Sequence, residues 1–259
     1  MMKKLHFLLL VTPLVLVACT GQENVRDMSP SDNKAAAITN VKLGVGYIKR
    51  GMPEVAREKL NRAIKQDPTN IDAYTTMAYL LTQLNEMEEA ENYYLEALDI
   101  KDNDPGLHNS YGTYLCKVGR LDEAMERFIT AFTNPFYETA YLAYSNAGNC
   151  LMSVKNYEMA EKFLRKALKQ QPKFADALLT MAEIGVKTKK YLMARAYVQR
   201  FHAVSKPIAG SLWVQVQAEK ALGAKDHYLK YAKQLLRDFP DSHEAAKVEA
   251  LARNDRTRK

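Results

Sequence analysis

PGLHNSYGTYLCKVGRLDEAMERFITAFTNPFYE, residues 105–138, carries the spacing that decides the fold. Counting Pro105 as its first residue, small residues stand at places 8, 20 and 27: Gly112, Ala124 and Ala131. A large aromatic residue, Phe128, stands at place 24. The same offsets recur on both sides. Upstream, residues 71–104 supply Ala78, Ala90, Tyr94 and Ala97, and residues 37–70 supply Gly44, Ala56, Leu60, Ala63 and a late Pro68. Downstream, after two extra residues, 141–174 supply Gly148, Ala160, Leu164, Ala167 and Pro172. Residues 175–208 keep Ala182, Ala194 and Val198 but place Phe201 where a small residue is expected. Residues 209–242 keep little beyond Pro240.

A fixed period of 34 residues is the mark of a stacked array, in which each unit buries its apolar face against its neighbours. Small residues at three fixed places let two antiparallel helices approach closely, and the larger apolar residues fill what is left. The late proline ends the second helix, since it has no N–H and clashes with the preceding turn. Asn85 and Gly119 fall between the two helices, where left-handed backbone is often needed. The pattern resembles the tetratricopeptide repeat. That resemblance implies an all-α fold, a right-handed superhelix of about six helix-turn-helix units over 37–242, with a C-terminal helix and basic tail over 243–259.

In such a stack the first helix of each unit turns toward a concave groove, through places 2, 5, 9 and 12. These places hold Val41, Val45 and Ile48 in the first unit, Tyr79 in the second, Asn109 in the third and Asn149 in the fourth. The apolar first-unit stripe is suited to a hydrophobic segment of a partner laid in as a strand or helix. The alternative for it is packing against the preceding segment. The asparagines can donate and accept bonds to a partner's backbone, or serve local structure instead. Cys116 and Cys150 lie late in neighbouring first helices. A disulfide between them is the expectation, with two buried free thiols as the alternative.

The chain opens with Lys3 and Lys4 and then runs apolar from Phe7 to Val17. A membrane span needs about 20 apolar residues, so this shorter run reads as a secretory signal over 1–18. It ends Leu16-Val17-Ala18-Cys19, which resembles a bacterial lipobox and implies lipidation at Cys19. Thr20 follows where Asp would favour inner-membrane retention, so the resemblance implies the periplasmic face of the outer membrane. Residues 19–36 are polar, include Pro30, and read as a flexible tether that spans at most about 60 Å.

The formal charge of +7 hides an asymmetry. Residues 70–140 hold 13 acidic and 4 basic side chains, a net of −9, whereas residues 155–206 hold 12 basic and 4 acidic, a net of +8. A nucleic-acid binder would be more uniformly basic. The division is either two solvated helical faces or two surfaces tuned to different partners. His108, His202, His227 and His243 show no metal-ligand spacing. Nucleophile elbows, phosphate loops and dinucleotide turns are absent from the sequence. Glu88, Glu89 and Glu91 read as solvated surface. The expectation is a monomeric binding protein, not an enzyme, with no catalytic residue, metal, cofactor, small-molecule substrate or nucleic-acid partner.

Leu107 to Cys116 followed by Gly119-Arg120, then Asn134-Pro135 and Asn146-Ala147-Gly148-Asn149-Cys150, resembles the type IV pilus pilotin lipoproteins of the PilF/PilW family. The resemblance implies pilus biogenesis: binding the outer-membrane secretin and promoting its membrane localisation and oligomerisation. It differs in its weak sixth unit. The alternative is a periplasmic repeat scaffold for cell-wall or outer-membrane assembly enzymes.

Overall fold

The computed structural model describes residues 29–257, with side chains described as far as Arg253. Cys19, the apolar run before it and the first part of the expected tether lie outside those residues. The described residues form thirteen helices. Six hairpins come first: α1 (Pro30–Lys49) with α2 (Pro53–Gln66), α3 (Ile71–Gln83) with α4 (Met87–Ile100), and α5 (Pro105–Lys117) with α6 (Leu121–Thr133). There follow α7 (Ala140–Ser153) with α8 (Tyr157–Gln170), α9 (Ala175–Lys187) with α10 (Tyr191–Val204), and α11 (Ala209–Ala221) with α12 (Lys225–Asp238). α13 (His243–Thr257) packs against α11 and α12 and covers the end of the stack. Each first helix also packs on the first helix of the next unit, from α1·α3 through α9·α11, so these five contacts build one continuous inner face. The all-α tetratricopeptide architecture expected from the period is the architecture found.

α1 begins earlier than the tether reading allowed. Residues 30–36 are helical, started by Ser29, whose Oγ accepts the Asp32 N–H at 3.2 Å, and by Pro30 in the first turn. Serine as N-cap and proline at the first helical position both favour a helix start. The polarity of this stretch masked that signal.

Place 15 of every unit has left-handed backbone: Gly51 (φ 69°), Asn85 (65°), Gly119 (84°), Lys155 (63°), Lys189 (59°) and Gly223 (71°). The period therefore extends to the turns, including the two-residue lengthening between Gly119 and Lys155.

Places 8 and 24 are complementary in volume. A Cβ added to Gly148 would lie 2.6 Å from Leu164 Cγ and 3.3 Å from the Ala160 carbonyl oxygen. At Gly112 the same atom would lie 3.0 Å from the Phe128 ring. The sixth unit reverses the pair, with Val216 at place 8 and Ala232 at place 24, both buried with Leu212, Leu235 and Val248 of α13. Its divergent sequence is thus a swap of large and small partners within an intact hairpin.

A candidate partner-binding groove

The inner face of the first three units encloses a groove of about 460 Å³, walled by α1, α3 and α5 and closed at one end by Asn146 of α7. Its apolar wall is Val45, Ile48 and Tyr79; Tyr79 is 49% exposed although it is a large aromatic side chain. Its polar wall holds Thr75, Thr76, Asn109, Ser110 and Thr113. Several of these hydroxyls are turned back onto their own helix: Thr75 donates to the Ile71 carbonyl at 2.8 Å and Thr113 to the Asn109 carbonyl at 3.0 Å. Donation of this kind satisfies the hydroxyl proton and leaves its oxygen free to accept.

Tyr94 and Tyr114 floor the groove, and buried Tyr111 packs behind them. The Tyr94 ring lies 5.2 Å from that of Tyr111 and 5.4 Å from that of Tyr114. Tyr111 donates to Glu91 at 2.7 Å and Tyr114 to the Met87 carbonyl at 2.8 Å. Burial, aided by the Glu91 carboxylate, pushes the Tyr111 hydroxyl up to about 12, so it stays a proton donor at any physiological pH. Burial also raises Tyr94.

Among the described residues no carboxylate lines this groove, although it sits in the acidic half of the chain. Among the described residues, the ionised side chains lining it are Lys49 and Lys117. Lys117 is held across the groove by donating to the Thr82 carbonyl at 2.6 Å. The acidic residues instead stand mainly on the outer helices, where Glu86 pairs with Arg57 at 2.5 Å and Glu91 with Arg120.

Of the residues named from sequence, Val45, Ile48, Tyr79 and Asn109 come together on this groove. Val41 does not. It is 9% exposed and packs with Ala37, Ala63 and Ala73, because α1 approaches α2 and α3 closely at that level. Asn149 lies outside the groove, beside the disulfide, and its amide is consumed locally. It donates to Asp176 at 2.8 Å and accepts from Thr180 at 2.9 Å, joining α7 to α9. Asn109 is nearly buried and accepts from Asn146 at 3.0 Å. Sequence reading missed Lys117 and Asn146, whose places in their helices are off the expected stripe by one residue.

Cys116 and Cys150 are bonded in the structure, with Cα atoms 5.8 Å apart. Among the described residues no group of three or more His, Cys, Asp or Glu could hold a metal ion. No described helix is long and apolar enough to cross a membrane.

Comparison with known proteins agrees with this architecture. Tetratricopeptide-repeat models match residues 47–112 and 141–174. The type IV pilus assembly protein PilF of Pseudomonas aeruginosa is 27% identical over 241 residues, covering 92% of this chain and 96% of PilF. The solved P. aeruginosa PilF structure superposes with a TM-score of 0.72, covering 84% of this chain and 98% of that one. The crystal structure of PilW, described as a widely conserved type IV pilus biogenesis factor, is 28% identical with a TM-score of 0.74, covering 82% of this chain and 97% of PilW. The chain carries tetratricopeptide repeats and is similar over most of its length to the type IV pilus proteins PilF and PilW.

Proposed function

We propose that this chain is an envelope protein of type IV pilus biogenesis, a pilotin that binds the outer-membrane secretin and promotes its localisation and oligomerisation. The observation that carries the reading is the likeness to PilF, which spans 92% of this chain and 96% of the relative. Likeness restricted to a few repeats would support only a generic binding scaffold. The groove gives the reading a physical form. An apolar wall of Val45, Ile48 and Tyr79 faces hydroxyl and amide groups, a surface suited to an extended segment with one apolar side chain docked and its backbone bonded. Lipidation of Cys19 would hold the body at the periplasmic face of the outer membrane, where a secretin subunit arrives. Stable anchoring needs more than one acyl chain, as lipoproteins of this kind carry.

Pull-down from envelope extracts, with the secretin as the readout, tests this directly. Recovery of the secretin, with loss of twitching motility on deletion of this protein, is the expected outcome. Recovery of cell-wall or outer-membrane assembly enzymes without the secretin would favour the scaffold alternative instead.

A further inference from the structure

The turns of the fourth and fifth units depart from the others. Lys155 (φ 63°) and Lys189 (φ 59°) occupy the left-handed place that glycine or asparagine fills in the remaining turns. Such backbone is nearly free for glycine and costly for a side chain with a Cβ, and costs of this kind concentrate at functional surfaces. Both lysines make no ion pair among the described residues. Large apolar side chains stand exposed beside them: Val154 at 51%, adjacent to Lys155, and Leu192 at 67%, three residues after Lys189. The two turns belong to one edge, because Lys190 reaches back to Glu161 of α8 at 3.0 Å. The carboxylates on that edge are already engaged, Glu158 by Lys162 at 2.8 Å and Glu161 by Arg165 at 2.6 Å as well as Lys190. The surrounding stretch 155–206 carries a net of +8.

We propose that this turn edge is a docking surface for an anionic phospholipid bilayer. Unpaired ammonium groups meet the phosphates, and Val154 and Leu192 reach the acyl boundary between them. A protein partner would call for a close-packed apolar core within a polar rim, whereas here the apolar side chains are set apart among lysines. The proposal rests on the envelope reading only in placing a bilayer within reach.

The test uses the purified full-length chain carrying Cys19→Ser, so that no acyl chain tethers it, with vesicles of phosphatidylcholine alone or mixed with phosphatidylglycerol. No secretin is present, so this test and the secretin reading fail separately. All comparisons are made in the same chain, and the apolar amino-terminal run contributes equally to each. Lys155→Gly/Lys189→Gly keeps the backbone these turns need and removes both charges. Each basic side chain near an anionic surface is worth about fivefold in partitioning, so the double variant should bind anionic vesicles about twenty-five-fold more weakly. Its melting temperature should be equal or higher, since glycine suits the left-handed place. Leu192→Ser should weaken binding further with folding unchanged. Equal binding to neutral and anionic vesicles, or anionic binding that survives the double substitution, assigns the edge to another occupant and overturns the proposal.

Discussion

Cys116 of α5 and Cys150 of α7 are joined side by side, their Cα atoms 5.8 Å apart and their sequence positions separated by 34 residues. The bond clips the third unit to the fourth, joining place 12 of one to place 10 of the next. Lys117 and Asn146, which border the groove, stand next to it. Cross-links over loops of this length typically contribute about 2–4 kcal/mol. Cys116→Ser/Cys150→Ser should lower unfolding free energy by that amount in chemical denaturation. Mass spectrometry without reduction should find no alkylatable thiol at either position; two free thiols would contradict the bond.

Gly148 and Gly46 form a matched pair for testing the packing account. Both are helical, but a Cβ at Gly148 collides with Leu164 at 2.6 Å while one at Gly46 meets nothing within 4 Å. Gly148→Ala should therefore destabilise by about 1–3 kcal/mol through overpacking. Gly46→Ala should be neutral or stabilise by up to about 1 kcal/mol through helix propensity. Thermal melts of the two variants decide it, and equal effects would refute the interlocking of places 8 and 24.

Glu219 is 1% exposed and is held by Arg195 through contacts of 3.0 and 2.5 Å, with Gln215 donating to it at 2.5 Å. Arg195 comes from α10 and Glu219 from α11, so the pair ties the fifth unit to the sixth. Removing one partner of such a pair leaves a buried charge and costs about 3–5 kcal/mol, while replacing both by apolar residues is often neutral. Arg195→Met should thus be severely destabilising, and Arg195→Met/Glu219→Leu should recover most of the loss in urea titrations.

His108 and His202 give the stability a pH dependence. Burial holds both imidazoles below their usual value of 6.5, even though the Asp102 carbonyl 2.6 Å from His108 Nε2 works in the opposite direction. The unfolded chain then binds protons at a pH where the folded chain does not. Their stabilising contribution is fully present above about pH 6.5 and is lost as the pH falls through the lowered folded-state values. Denaturation midpoints measured from pH 7.5 downward should decline on this limb. His108→Gln/His202→Gln should flatten the decline; an unchanged slope would exclude the two histidines as its source.

The period made most of the fold legible. Gly112 with Phe128, and Gly148 with Leu164, are small-to-large pairs at constant offset, and that offset has only one simple structural reading. Asn85 and Gly119 announced their turns through residue type, whereas Lys155 and Lys189 occupy the same backbone without any such signal. The sixth hairpin was obscured because Val216 and Ala232 exchange the usual large and small places. The groove was legible in part. Val41 was misassigned because α1 starts at Pro30 and its face is fixed by packing on α2 and α3, which helical spacing within one unit does not reveal. The local role of Asn149 depends on Asp176 and Thr180 in the next unit. Cys19, where the lipobox-like sequence implies lipidation, lies outside the described residues.

If the groove of the first three units receives the secretin as proposed, Val45→Glu should break that contact. Val45 is partly exposed on the groove wall, so the substitution should leave the body folded and the protein at its normal level. A charge facing an apolar contact at a binding hot spot costs about 2 kcal/mol or more, about thirtyfold in affinity. Assembled secretin rings, quantified in envelopes of cells carrying Val45→Glu, should fall sharply against wild type. Normal ring levels at a normal level of the variant protein would rule out this groove as the secretin contact.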